Sequence, residues 1–306
     1  MPLFSEATFK DVVDFSQLDQ TVSSTIRLAA QDPVSLYLFF HRYTYFNGYA
    51  SAVISRLASS IGLSRYLFKN SELLVTEEAD RGMEIAAQVL SAAADEGAND
   101  TPVHRALAQL TLKTVGNYAG LSDQQRNEFA KIPAWLDEIV DAVVSGYQGT
   151  PNNIASLVRA MGFHLASEIL GHTEYSLLDT VIRYENKDIG FARYLREQAT
   201  PVKIHGHRYT AWSWILIHSR HDGCGVEVEH SQCALTALNM AVRYSPESDQ
   251  QMLNWAREGF AAFVELQQRL FNQTYQECLE LSTRSKPDEH KNPTLENSYT
   301  QPMSHF

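Results

Sequence analysis

Cysteine is scarce in this chain of 306 residues. It has three, Cys224, Cys233 and Cys278, and no two of them have Cys-x-x-Cys spacing. An odd and sparse set of thiols argues against a disulfide framework and a structural zinc site, and it leaves no thiolate set for an iron–sulfur cluster. A reducing, cytoplasmic compartment fits this cysteine usage best.

Long apolar runs and positive charge are also lacking. No stretch of about 18 apolar residues occurs, so no transmembrane helix is expected. Residues 1–15 carry acids and no apolar core, which argues against a signal peptide. Lysine and arginine total 25 against 36 acids, which gives a net charge of −11. An acidic chain binds phosphate backbones poorly, so neither nucleic acid nor a membrane is an expected partner.

Helix signals dominate what is present. Asp32-Pro33 is typical of an N-cap followed by proline at the first helical position, and apolar residues then recur at helical spacing to about Ser60. Further helices are predicted over residues 76–96, 104–118, 122–129, 133–147, 154–184, 209–244 (interrupted at Gly223-Cys224-Gly225) and 248–282. Loops are predicted at residues 149–153 and 201–206. The pattern predicts an all-α fold.

One helical domain is favoured over two, because no internal repeat and no linker composition occurs. We expect an N-terminal extension over residues 1–30, a helical bundle over residues 31–282, and a disordered tail over residues 283–306. The tail is polar and contains Pro287, Pro293 and Pro302.

A first candidate group pairs Glu96 with His104 across a small-residue interruption between two predicted helices. A carboxylate and an imidazole at a helix break could face a common point. The alternative is a surface glutamate near a helix end and a solvated histidine.

A second group is His164, Glu168 and His172, spaced four residues apart on one predicted helix. This spacing gives one stripe, which Met161 and Leu165 share, so the stripe should point inward. A buried carboxylate is costly unless it is paired or binds a metal, which favours Glu168 over either histidine as a ligand. The alternative is a partly exposed, hydrogen-bonded ladder.

A third group contains His218 and Asp222 at i and i+4, followed by Glu227, Glu229 and His230. On a straight helix His230 would lie about 120° away from His218. A kink at Gly223-Cys224-Gly225 would bring it round, and two glycines inside a helix need such a reason, because each costs about 1 kcal/mol relative to alanine. His230 is therefore favoured, with Glu229 and Glu227 left open.

Together, three predicted helices each offer carboxylate and imidazole groups. Dinuclear iron and manganese sites in helical bundles are built from such inward-facing residues. Mixed nitrogen and oxygen ligands suit iron, manganese or zinc.

These residues resemble the haem-oxygenase-like di-iron oxidases. The similar runs are Ala94-Asp95-Glu96 with His104, Met161-Gly162-Phe163 with Glu168, and His218-x-x-x-Asp222 with Glu229-His230, in that order, over about residues 35–245. The resemblance implies a seven-helix bundle that binds no haem but two Fe(II) ions. One ion would be held by Glu96, His104 and Glu168, and the other by Glu168, His218, Asp222 and His230. In most members the last histidine follows the aspartate more closely than here.

The resemblance also implies the activity. Members use dioxygen and an external electron donor, and act mostly on amino acids or fatty acids by desaturation, C–C cleavage or N-oxygenation. We expect oxidation of a free amino acid by C–H activation, as in antibiotic biosynthesis, with desaturation, alone or followed by cyclisation, as the outcome. Alternatives are a fatty-acid or other carboxylate decarboxylase of the same family and a non-enzymatic helical binding protein.

Three further points complete these expectations. Arg208 is a candidate partner for a substrate carboxylate, with a solvated loop arginine as the alternative. Haem degradation is disfavoured, because His41 lies about two turns inside the first predicted helix. The sequence leaves open whether the chain forms a homodimer.

Overall fold

The computed structural model describes residues 3–95, 104–204, 206–219 and 226–284, and these are predominantly α-helical, which confirms the predicted all-α class. The α-helices are α1 (Phe15–Ala30), α2 (Pro33–Asn47), α3 (Ala50–Gly62), α4 (Thr76–Ala79), α5 (Gly82–Asp95), α6 (His104–Tyr118), α7 (Asp123–Phe129), α8 (Ala134–Gly146), α9 (Ile154–Asp179), α10 (Gly190–Glu197), α11 (Ser213–His218), α12 (Val226–Tyr244) and α13 (Asp249–Arg284). A 3-10 turn spans Glu6–Phe9, a π-helical segment spans Thr180–Glu185, and β1 (Val202–Ile204) pairs with β2 (His207–Tyr209).

The predicted continuous helix over residues 32–60 is wrong, because it breaks at Gly48. The Gly48 N–H donates to the Tyr45 carbonyl oxygen at 3.2 Å, and the Asn47 side chain donates to the Tyr43 carbonyl oxygen at 3.1 Å. These contacts end α2 in a tight turn before α3 begins. Apolar spacing continues through the break, so periodicity alone could not locate it.

The predicted helix over residues 76–96 is also divided. Asp80 is extended, with ψ of 126°, and its side chain accepts a hydrogen bond from the Gly82 N–H at 3.0 Å. An aspartate that bonds the backbone two residues ahead favours a turn over a continuing helix. The short α4 and the longer α5 are therefore separate elements.

The loop predicted at residues 201–206 is wrong, since most of it belongs to a β-hairpin. Val202 pairs with Tyr209 and Lys203 pairs with Arg208. Gly206 has φ of +84°, a conformation that glycine adopts without strain, and this allows the chain to reverse between the strands.

The segment predicted as an N-terminal extension contributes to the main core. Leu18, Val22 and Ile26 of α1 are buried, and α1 packs against α13 and α2. Farther towards the N-terminus, Phe9 stacks on Phe260 with ring centroids 4.7 Å apart. The core therefore extends across the predicted boundary at residue 31. The predicted tail lies, from residue 285 on, outside the described residues.

Helices α9 and α13 form the central pair, and they cross at two glycines. A Cβ on Gly162 would lie 2.1 Å from the Ala256 carbonyl oxygen, and one on Gly259 would lie 1.9 Å from the Arg159 carbonyl oxygen. The backbones approach so closely that neither position accommodates a side chain. This crossing fixes α9 two turns before Glu168.

Gly259→Ala is expected to destabilise the protein by about 1–3 kcal/mol, because the added methyl must push backbone apart. Gly62→Ala on α3 is the matched control, since its added Cβ would meet the Met83 Sδ at 2.9 Å, the end of a flexible side chain that is 70% exposed, and the Ala86 Cβ at an ordinary 3.6 Å. Thermal unfolding of both variants tests this. Equal melting temperatures for the two variants would contradict the close crossing.

None of the helices within the described residues is both long and apolar enough to cross a lipid bilayer. The two described cysteines, Cys233 and Cys278, are free thiols.

Candidate metal centre

A cavity of about 350 Å³ lies between the helices, and four of the predicted site residues line it. They are His104, Glu168, His218 and His230, and each comes from a different helix: α6, α9, α11 and α12 respectively. All four are buried, with exposed fractions of 7%, 6%, 2% and 3%. The structure thus brings together residues that are up to 126 positions apart, since 230 − 104 = 126.

The Glu168 carboxylate lies between two imidazoles. Its Oε1 is 3.2 Å from His164 Nδ1, and its Oε2 is 3.4 Å from His230 Nδ1. Burial lowers the pKa of His164, more than the neighbouring Glu168 charge raises it. The inward stripe predicted for His164 and Glu168 is therefore present. His172 is only half-buried and does not line the cavity.

The His104 and His218 rings form a second pair, edge to face, with centroids 4.6 Å apart. Tyr175 stacks on the other side of His218, with centroids 4.3 Å apart. Burial, together with the nearby His104, lowers the pKa of His218 to about 3. His218 is therefore a neutral imidazole at physiological pH.

The tautomer of His218 follows from its hydrogen bond. Its Nδ1 is 2.7 Å from the Trp214 carbonyl oxygen, which can only accept, so Nδ1 carries the hydrogen. The lone pair then resides on Nε2. Metal-binding histidines are commonly oriented by such a contact to a backbone carbonyl.

Local contacts set the position of His218. The Trp212 Nε1–H donates to Asp179 Oδ1 at 2.7 Å, which ties the start of α11 to the end of α9. Asp179 is fully buried and also accepts from Arg183 Nη2 at 2.8 Å. His218 is the last residue of this short helix, so the tether controls where its ring lies.

His230 lines the cavity from α12, a different helix from α11, which carries His218. The helix predicted over residues 209–244, with its interruption at Gly223-Cys224-Gly225, starts too early, since Tyr209 belongs to β2; the structure has α11, which ends at His218, and α12, which begins at Val226. His230 is buried one turn into α12, whereas Glu229 is exposed and does not line the cavity. The helix phase of α12 thus turns His230, and not Glu229, towards Glu168.

Two of the predicted ligands, Glu96 and Asp222, lie outside the described residues, as do the glycines of the predicted kink. The side chain of Glu227 is also not described. Two of the described helix ends next to these segments carry a cavity residue, His104 at the first position of α6 and His218 at the last position of α11.

The described residues have the side-chain chemistry of metal ligands, but they are not already arranged around a single ion. In the described ranges, no three His, Cys, Asp or Glu side chains are grouped so as to hold one ion. The donors instead form two pairs, Glu168 with His230 and His104 with His218. Buried imidazoles and a buried carboxylate facing a cavity are the donor types that iron, manganese and zinc accept.

Sequence reasoning missed several residues of the cavity wall. Tyr147 and Tyr175 line it, and so does Arg105, which follows His104 directly. Tyrosines and arginines carry no spacing signature of their own, so only the fold reveals them. Arg208 does not line the cavity; it is exposed on the hairpin, opposite Lys203.

A buried acid lies near the cavity but outside its wall. The Tyr43 hydroxyl donates to Glu174 Oε2 at 2.9 Å, and Glu174 is 4% exposed. Burial raises the pKa of Glu174 to about 8, against the opposing effect of the Tyr43 hydrogen bond. This carboxyl group is therefore mostly protonated at neutral pH.

No protein-family model matches the chain, and no curated protein matches it.

Proposed function

We propose that this chain is a non-haem, dioxygen-dependent di-iron oxidase with a haem-oxygenase-like bundle, which oxidises a free amino acid by C–H activation. The observation that carries the proposal is the meeting of buried His104, Glu168, His218 and His230, from four helices, at one cavity. Desaturation, with cyclisation as a further step, is the proposed outcome.

Because these four side chains are buried, they are hard to explain as surface groups without a function. Desolvating a carboxylate and three imidazoles costs free energy that packing alone does not return. A protein without a use for them would place apolar side chains there. The non-enzymatic alternative required these groups to be exposed, and their burial therefore favours a metal centre.

The proposed ligand sets follow the resemblance. Glu96, His104 and Glu168 would hold one iron, and Glu168, His218, Asp222 and His230 the other. Glu168 Oε2 faces His230, which belongs to one proposed set, whereas Oε1 faces His164, which belongs to neither. Bound ferrous ions would supply the electrons and the Lewis acidity that dioxygen activation requires.

The chain's own residues would prepare this site. The Trp214 carbonyl holds His218 with Nε2 unprotonated, and the Tyr175 ring covers one face of its imidazole. Phe46, Val53 and Phe263 supply apolar parts of the cavity wall. A neutral imidazole such as that of His218 can bind a cation without first losing a proton.

The cavity wall favours a small polar substrate over a fatty acid. Asn47, Arg105 and Gln109 are part of it, and about 350 Å³ lies at the low end of the usual size for a ligand pocket. A long apolar channel without a cationic group would have favoured the fatty-acid alternative. A free amino acid has a carboxylate that Arg105 could bind.

Anaerobic reconstitution with ferrous iron tests the proposal. We expect two irons per chain, a transient visible absorbance after rapid mixing with oxygenated buffer, and a change in its rate with one member of an amino-acid pool. Mass spectrometry would then detect a product two hydrogens lighter. Absence of iron uptake would contradict the proposal.

A pair of histidine variants sharpens that experiment. His104→Ala should lower the iron content while circular dichroism stays unchanged, because His104 lines the cavity. His172→Ala is the matched control, since His172 is on α9 but outside the cavity wall. Equal iron loss in both variants would point to nonspecific destabilisation instead of ligand removal.

A further inference from the structure

A second cavity, of about 410 Å³, adjoins the candidate metal centre. The two cavities share Thr44, Gly48, Tyr49, Arg105 and Gln109 in their walls. Helices α2 and α6 form most of the second cavity, and α7 closes it. A ligand that enters the first cavity past Arg105 can therefore extend into the second.

The second cavity is positively charged in an acidic protein. Arg105 and Arg126 line it, and none of the described carboxylates does. Among the described residues, neither arginine is part of an ion pair, although the whole chain has a net charge of −11. The carboxylate of Asp137 is close by, but it accepts from the Tyr45 hydroxyl at 3.0 Å.

Hydrogen bonds fix the position of the Arg126 guanidinium but do not neutralise its charge. Its Nε donates to the Leu121 carbonyl oxygen at 3.1 Å, and its Nη2 donates to Asn117 Oδ1 at 2.9 Å. Both acceptors are uncharged, so they fix the orientation of the guanidinium and leave its charge uncompensated. Arginine held in this way is well suited to bind a planar or tetrahedral oxyanion.

Two residues of the cavity wall, Tyr37 and Arg126, pack against a glycine of α6. A Cβ on Gly116 would lie 3.0 Å from the Tyr37 ring and 3.1 Å from Arg126 Cζ. The missing side chain lets the guanidinium and the ring lie against α6. The fold thus accommodates the Arg126 guanidinium, whose charge no described residue neutralises.

A buried histidine adds a third polar group. His41 is 9% exposed and lines the same cavity. Its Nδ1 is 3.2 Å from Arg42 Nη1, which can only donate, so Nδ1 accepts and the ring hydrogen is on Nε2. The imidazole therefore offers a donor, as the two arginines do.

We propose that the second cavity binds an oxyanion of the substrate, a carboxylate or a phosphate, through Arg105 and Arg126. The placement of the reacting end next to Glu168 rests on the proposed function, whereas the oxyanion site itself does not. The substrate would then span both cavities, with Arg105 at their junction. This defines the substrate class as a polar acid longer than a simple aliphatic amino acid.

Anion binding to the full-length, metal-free chain tests the oxyanion site. Titration calorimetry with succinate and, separately, with inorganic phosphate would show binding by the wild type, and the tighter of the two ligands identifies the oxyanion. Arg105→Gln and Arg126→Gln should each weaken that binding about tenfold or more, because each removes charge-assisted hydrogen bonds. Gly116→Ala should weaken it as well, since it displaces the guanidinium.

Arg159→Gln is the matched control, because Arg159 pairs with Glu258 on another surface, and its anion affinity should equal that of the wild type. Arg126→Lys guards against misfolding, since it retains the charge and should bind more tightly than Arg126→Gln. No binding of either anion up to about 10 mM, or equal affinity in all variants, would overturn the oxyanion site. Because no iron is present, this result is independent of the iron-uptake test.

Discussion

Replacement of Glu168 by alanine is expected to reduce the iron content from two ions per chain to one or none. Glu168 is the one carboxylate among the described donors of the cavity wall, and the ligand sets assign it to both ions. Its loss removes one anionic ligand from each proposed set, and ferrous iron binds more weakly when fewer charged oxygen ligands surround it. Iron content after anaerobic reconstitution and desalting measures the effect.

Two variants make the Glu168 result specific. Glu168→Gln keeps the volume of the side chain but removes its charge, so it should lose iron as Glu168→Ala does. Glu174→Gln, on the same helix and equally buried, lies outside the cavity wall and should retain wild-type iron. Full iron content in Glu168→Gln would remove the residue from the ligand set.

Glu174→Gln is expected to flatten the dependence of stability on pH between about pH 5 and 8. In the wild type the folded pKa of Glu174 is raised from 4.5 to about 8 by burial. Stability from the protonated group is fully present below the unfolded pKa and is lost as the pH rises through the folded pKa. Over that window the unfolded state releases a proton that the folded state keeps, so the free energy of unfolding falls by about 1.4 kcal/mol per pH unit.

Thermal unfolding from pH 5 to pH 9 measures this effect. The wild-type melting temperature should fall by at least about 5 °C relative to that of Glu174→Gln across the series. Glu185→Gln is the control, because its pairing with Arg27 lowers the pKa of Glu185 and so affects stability only at lower pH. Parallel curves for wild type and Glu174→Gln would show that the buried carboxyl does not titrate in this range.

Helix ends with local signals could be predicted from sequence. Ser122 caps α7, where its side chain and that of Gln125 form a capping box, and the predicted range of residues 122–129 agrees with Asp123–Phe129. Helix α6 spans His104–Tyr118, which agrees with its predicted range. The capping box of α7 joins residues three positions apart, a contact that a sequence displays directly.

Other elements depend on packing that no local pattern reveals. Helix α1 has an amphipathic sequence, yet its place in the core depends on α13, which lies more than 200 residues later in the chain. The β-hairpin and the break at Gly48 were predicted as loop and as helix, because short strands and single-residue breaks have weak periodicity.

For the candidate site, too, the sequence predicted some features and the tertiary structure decided others. Residue type and helical spacing made His104, Glu168, His218 and His230 candidates, and the family resemblance joined them into ligand sets. Their meeting at one cavity, the choice of His230 over Glu229, and the addition of Arg105 and Arg126 were decided by the tertiary structure. Spacing along one helix determines which side chains share its face, but the distance between helices is set by contacts such as the Gly162 and Gly259 crossing, which join residues far apart in the chain.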